Sequence, residues 1–225
     1  MLFFSRSKDL DARYLSTMQV CELNIDGRVY LSMEHYFQSQ KYPLEKQYMF
    51  EKGGVYVLPK DAKRAGSKGG MKKNKCALDL DRWNGFSPEN PNDFHRIRIM
   101  KKAIWARFKQ DKRFRDILIG SDKPFVHYEK KRGKYDPTNI PAWGSYCSKV
   151  GGWTGLNVLG MLYTEIAEHH QDIEWLGDTK MKWLTSKNTA IPHQTDTPKK
   201  EWMYAGFDLC SSYDVCLDSG VILHS

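Results

Sequence analysis

Two stretches with the helical repeat of apolar residues set what this 225-residue chain can fold into. Ile97, Met100, Ile104 and Phe108 recur at spacings of three and four, with Arg96, Lys101, Lys102 and Lys109 off that stripe. Leu159, Leu162, Tyr163 and Ile166 repeat the pattern within residues 156–170. At 3.6 residues per turn, each set forms one apolar face that another element has to cover. Phe114, Ile117 and Leu118 add a shorter helix, stopped by Gly120. A β hairpin is signalled near the N-terminus, where Asp26-Gly27 stands between the apolar residues of 20–25 and Val29-Tyr30-Leu31. Both positions of such a turn favour positive φ. Residues 125–129 suit one further short strand, whereas 81–93 and 130–155, with their Gly and Pro, read as loop. The expectation is a mainly α fold: one helical domain with a small β hairpin near the N-terminus.

Composition narrows the class. No apolar run approaches the ~20 residues that span a bilayer, so no membrane association is expected. Arg6, Lys8 and Asp9 interrupt Met1-Leu2-Phe3-Phe4 before a secretory core could form, and a cytoplasmic location is expected. Five cysteines, an odd number at irregular spacing, make neither a disulfide framework nor a zinc motif. His169-His170 lacks the spacing of a zincin helix, and there is no Gly-x-Ser-x-Gly elbow, so hydrolases built on those motifs are excluded. Neither a metal nor a cofactor is expected. The excess of 35 Lys+Arg over 27 Asp+Glu, a net charge of +8, admits a nucleotide or nucleic-acid partner without requiring one.

Three constellations could carry chemistry. Ser32 stands at an N-cap position, and a helix over 33–41 would end before Pro43. On it Glu34, Gln38 and Lys41 fall within a sector roughly 60° wide, flanked by Met33 and Phe37. A carboxylate, an amide and an amine would line one face, either as a solvated stripe or, given the aromatic neighbours, as a buried one. Residues 60–75 are basic and Gly-bearing, with Lys63 and Arg64 beside Gly66. They suit either a solvated surface or a phosphate contact, and they are not a Walker A loop. Trp143-Gly144 and the run 151–160, containing Trp153 and Asn157, form a third group. With Trp83 its tryptophans could stack on a base or simply fill the core.

In this order these pieces resemble the NADAR (YbiA-like) family over residues 14–170. The match rests on Glu34-His35-Tyr36-Phe37-Gln38-Ser39-Gln40-Lys41, Ala62-Lys63-Arg64-Ala65-Gly66, Trp83, Trp143-Gly144 and Gly155-Leu156-Asn157-Val158-Leu159-Gly160. The resemblance implies cleavage of an N-glycosidic bond to ribose. Its first implied substrate is guanine carrying ADP-ribose, in nucleic acid or nucleotide. Alternatives are phosphoribosylamino-pyrimidine intermediates of riboflavin synthesis, or a non-catalytic module that binds NAD or ADP-ribose. It implies Glu34 and Lys41 as the catalytic pair, with Gln38, Lys63, Arg64, Trp83, Asp136, Trp143, Gly144 and Asn157 at the substrate. Ser16-Thr17 departs from the family pattern, which has Asn after the Ser. Residues 1–170 would be the catalytic domain. The extension 171–225, with Trp175, Trp183 and Trp202, would pack on it in a role its residues do not disclose; nor do they signal an oligomeric state.

Overall fold

A computed structural model describes residues 1–87, 90–129, 143–147 and 153–170. Asp136, the loop glycines at 151 and 152, and the extension 171–225 lie outside these residues. The longest element is α6, His95–Gln110, and α2, Met33–Ser39, packs across it. α7, Lys112–Ile119, and α8, Val158–His169, cover other sides of α6. The stripe read from the sequence is the buried one: Ile97, Met100, Ile104 and Phe108 are all under 5% exposed. They meet Leu159, Leu162, Tyr163 and Ile166 of α8 in one continuous core. The fold is therefore mainly helical, as the periodicity requires.

Strands in the described residues occur only as two-stranded pairs. The hairpin is β2, Leu23–Ile25, with β3, Arg28–Tyr30, in register Leu23↔Tyr30. Asp26 and Gly27 have φ of 53° and 76°, the left-handed pair that matches strand twist in a two-residue turn. β1, Leu2–Phe3, lies parallel to β6, Val126–His127, so the first apolar residues form a strand beside the second expected one.

Between hairpin and α6 the chain is more ordered than its sequence suggested. α1, Leu10–Tyr14, precedes the hairpin, capped by Asp9. After α2 come a 3-10 helix, Leu44–Phe50, then α3, Pro59–Ala65, and α4, Lys68–Lys73. The basic stretch is thus two short helices joined at Gly66-Ser67. The described residues of 81–93 are not loop: α5, Leu80–Asn84, is capped by Asp79, and β4, Phe86–Ser87, pairs with β5, Asn90–Phe94. β7, Tyr146–Cys147, pairs with β8, Trp153–Thr154.

Two charges on α6 also sit differently from the stripe's implication. Lys101 is buried, 3.9 Å from Glu165 of α8. Arg107 is fully buried, donating to Tyr14 O at 2.8 Å, Ser16 O at 3.0 Å and Asp111 Oδ2 at 3.0 Å. A helix enclosed on several sides has no wholly solvated face, so its long cations take internal partners.

Candidate active site

α2 begins where the cap chemistry requires. Ser32 Oγ accepts the His35 N–H and donates to His35 Nδ1, 2.8 Å away. The Tyr56 carbonyl 2.9 Å from His35 Nε2 can only accept, so Nε2 carries the ring proton. Burial lowers the His35 pKa, the neutral form this arrangement needs. All seven residues of α2 are buried. Glu34, Gln38 and their neighbours therefore do not form a solvated face.

Glu34 is 5% exposed and both of its oxygens are engaged. Oε2 accepts from Thr17 Oγ1 at 2.9 Å, and Oε1 accepts from Gln38 Nε2 at 2.8 Å. The Thr17 carbonyl also accepts the Glu34 N–H, tying residue 17 to the first turn of α2. Because a carboxylate oxygen needs a donor, the Gln38 amide nitrogen faces Glu34, and its Oε1 is left buried without a partner among the described residues. Gly66 lies against that oxygen: a Cβ there would come within 1.7 Å of it. Only glycine permits this approach of α3's C-cap to α2.

Lys41 lies two residues beyond the end of α2, whose C-cap is Gln40, so the helix is shorter than 33–41. Its amide still donates to Gln38 O at 3.2 Å, keeping a helical turn. Nζ donates to the Gly66 carbonyl at 3.1 Å and stands 5.4 Å from the Trp83 ring and 5.6 Å from that of Phe37. Burial lowers the Lys41 pKa; Glu34 opposes the shift and Lys63 adds to it. Among the described residues Glu34 and Lys41 make no direct ion pair, yet each lies within reach of the other's charge.

Aromatic rings close the surroundings. Phe37 meets Trp83 edge-on at 5.2 Å and Trp143 edge-on at 5.3 Å. Lys41, Trp83 and His95 open on a cleft of about 370 Å³. Asn157, whose N–H donates to Gly144 O at 3.3 Å, adopts φ 50°, a left-handed conformation that Asn tolerates. Its Oδ1 accepts the His127 N–H at 2.8 Å and its Nδ2 donates to Phe125 O at 2.9 Å. That carboxamide holds β6 against the start of α8. Gly144 is buried where a Cβ would fall 2.6 Å from the His127 carbonyl. The Trp143 carbonyl is 3.3 Å from His127 Nδ1, and burial first, then Lys63, pushes the His127 pKa down to about 4.

The candidates therefore divide. Glu34, Gln38, Lys41, Trp83 and Trp143 share one neighbourhood around Phe37, with Gly144 next to Trp143 and Asn157 bonded to Gly144. Lys63 is exposed but close enough to act electrostatically on Lys41 and His127. Arg64 points more to solvent, with a side chain 79% exposed and 3.7 Å from Asp61. Thr17 and His127 had no part in the sequence-derived set. Thr17's distance along the chain from Glu34 hides it, and the only local sign was its departure from the family pattern. Among the described residues no group of His, Cys, Asp and Glu could hold a metal ion, and no helix is long and apolar enough to cross a membrane.

The pattern of the NADAR domain family matches residues 3–169. Proteins named N-glycosidase YbiA from Shigella boydii serotype 4 (strain Sb227) and Shigella sonnei (strain Ss046) are each 26% identical over 166 residues, covering 74% of this chain and 85% of theirs. The NMR structure of the E. coli protein YbiA has the same fold, with a TM-score of 0.53 and 24% identity. That match covers 79% of this chain and 88% of that one.

Proposed function

The chain belongs to the NADAR domain family, and from that membership we propose that it is an N-glycosidase cleaving a ribosyl C–N bond, with Glu34 and Lys41 at the reacting centre. The observation that carries the reading is their pairing: a buried carboxylate oriented by two donors, within charge reach of a lysine desolvated against Trp83 and Phe37. The relatives' name, N-glycosidase YbiA, supports the reaction class.

Departure of the base puts positive charge on the anomeric carbon and ring oxygen, which a fixed carboxylate stabilises. Burial makes the Lys41 ammonium give up its proton more readily than an exposed lysine does, and the neutral amine is a nucleophile. Its lone pair attacks the anomeric carbon while the C–N bond breaks; the leaving base keeps that electron pair and takes up a proton. Opening of the sugar ring then gives a Schiff base, with the proton lost from nitrogen matched by one gained at the ring oxygen. Water hydrolyses the imine, releasing the sugar and returning the amine.

In this reading Trp83 and Trp143 stack on base or ribose, and Lys63 and Arg64 meet phosphate oxygens. Gln38 sets Glu34, Gly144 and Asn157 shape the wall beside Trp143, and Asp136 completes the substrate contacts. The substrate is ADP-ribosylated guanine in nucleic acid or nucleotide, a polyanion that suits the +8 charge. Residues 1–170 form the catalytic unit.

The test is incubation with a guanine-ADP-ribosylated oligonucleotide, following free ADP-ribose by mass spectrometry. Release should fall at least 100-fold in Glu34→Gln and Lys41→Ala, on the order of 3 kcal/mol of barrier. Borohydride should trap a sugar adduct on the wild-type protein and none on Lys41→Ala. Full activity in Glu34→Gln sinks the mechanism. Turnover of phosphoribosylamino-pyrimidine alone reassigns the substrate, and ADP-ribose binding without turnover leaves a binding module.

A further inference from the structure

The cleft that opens beside Lys41 and Trp83 is also lined by three further cations, Lys46, Lys75 and Arg82. With Lys41 that makes four cations against the carboxylates of Glu45 and Asp79. One acid is already engaged, since Asp79 Oδ1 accepts the Arg82 N–H at 2.9 Å as the cap of α5. Among the described residues no carboxylate lies within ion-pair distance of Lys46, Lys75 or Arg82.

Lys46 is half-buried and held by neutral acceptors. Its ammonium donates to Asn74 O at 3.0 Å and Lys75 O at 3.5 Å, and its third neighbour is the weak acceptor Cys76 Sγ at 3.4 Å. The turn that supplies these carbonyls is built around Lys75, whose φ of 52° is unusual for a residue with a Cβ. Asn74 Nδ2 pins it by donating to the hydroxyls of Tyr42 at 2.8 Å and Tyr56 at 2.6 Å. Lys75 is the residue after the C-cap of α4, where its N–H donates to Lys72 O and the Cys76 N–H to Met71 O, so the left-handed conformation closes that helix and fixes the carbonyls that hold Lys46.

The cleft also continues. Arg82, Gln40, Tyr42 and Pro43 are shared with an adjoining cleft of about 420 Å³ that reaches Tyr36 and Arg28. There Arg28 is neutralised by Glu51 at 2.9 Å. Lys46, Lys75 and Arg82 are thus, with Lys41, the lining cations without an ion pair among the described residues, and Arg82 lines both clefts.

We propose that Lys46, Lys75 and Arg82 form a phosphate-binding subsite of this cleft, separate from Lys63 and Arg64, that takes a phosphodiester or phosphomonoester joined to the reacting ribosyl group. The proposal rests on reading Lys41 as the reacting centre. Arg82 supplies planar paired donors, Lys75 a mobile point charge and Lys46 a fixed one. A phosphate oxygen replaces Cys76 Sγ as the third acceptor of Lys46 with a stronger partner. The phosphate belongs either to a nucleic-acid strand or to the small substrate's own chain.

The test reads binding rather than turnover. Wild type, the double variant Lys75→Gln/Arg82→Gln and the control Lys112→Gln, whose lysine pairs with Asp116 on α7, are titrated by calorimetry at 50 and 200 mM salt. Unmodified single-stranded DNA octamer and ADP-ribose are the two probes, with thermal melts to show that each variant folds. The double variant should bind the octamer at least tenfold more weakly at low salt and lose about 1.4 from its salt slope, the value for two phosphate contacts on a single strand. Loss confined to the octamer assigns the subsite to a strand, and loss with ADP-ribose assigns it to the small substrate. The proposal is overturned if the double variant binds both probes as Lys112→Gln does, or if the wild type binds neither. A double variant that shows the loss, with a wild type that hydrolyses nothing, keeps the subsite and removes the glycosidase reading.

Discussion

Both oxygens of Glu34 are held by donors of this chain, and one of them comes from a residue seventeen positions away. That residue is Thr17, whose hydroxyl reaches Oε2 at 2.9 Å. A hydrogen bond to a charged group contributes about 1.5–3 kcal/mol. Thr17→Val keeps the side-chain shape and removes the donor, so kcat should fall at least tenfold with KM changed less than twofold, and Thr17→Ser should restore it. A raised KM at unchanged kcat places Thr17 in substrate binding instead. Lys63 tests the other partner. Its positive charge disfavours the Lys41 ammonium, so its removal favours that ammonium and raises the Lys41 pKa. If neutral Lys41 is the nucleophile, the rising limb of the pH–rate profile should move to higher pH in Lys63→Gln. A limb that stays in place or moves down contradicts this.

Among the elements, those legible in the sequence are the ones whose signal is local. The Asp26-Gly27 turn, the Ser32 cap and the stripes of α6 and α8 each need only neighbouring residues, and each stands where the sequence put it. Glu34 and Gln38 were found together for the same reason, since helical spacing brings them near, and Lys41 follows in the turn its N–H makes to Gln38 O. What stayed hidden depends on elements meeting. Thr17 reaches Glu34 only because the hairpin returns the chain to the start of α2. Lys101 and Arg107 are off the apolar stripe, but α6 is enclosed, so they are internal. The short helices α3, α4 and α5 carry too few apolar residues to show a period. Arg107 shows what such an internal charge does: it ties α6 to the carbonyls of residues 14 and 16, just before Thr17. Arg107→Met leaves the half-buried Asp111 without its cation and the Tyr14 carbonyl without the guanidinium donor, while Ser16 O keeps the Gln19 N–H. It should cost about 3–5 kcal/mol in urea unfolding, and activity should fall further than Thr17→Val makes it fall. A loss under 1 kcal/mol makes the tie dispensable.

For the whole molecule, the join between the two ends of the described fold sits at His127. This residue stacks on Phe3 of β1 at 5.2 Å, receives Asn157 from the start of α8 through its backbone, and faces the Trp143 carbonyl through Nδ1. Glu129 stands 3.9 Å from that same nitrogen, and Lys63 opposes protonation from α3. Burial dominates, and the folded pKa is about 4 against 6.5 for the free side chain. Since the folded pKa is depressed, the unfolded chain binds a proton that the folded one refuses between those values. His127 therefore leaves stability untouched above pH 6.5 and reduces it as pH falls from 6.5 to 4, on the order of 2–3 kcal/mol in all. Other groups titrate in the same window, so the informative quantity is the difference between two proteins. Urea midpoints of wild type and His127→Phe, taken at pH 7.5 and 4.5, isolate it. The phenyl ring keeps the stack on Phe3 and lacks the proton site, so the variant starts less stable at pH 7.5, having lost the bond to Trp143, and loses less on acidification. Equal losses in the two proteins mean that His127 accepts its proton while folded and that the Phe3–Trp143 join opens to admit it.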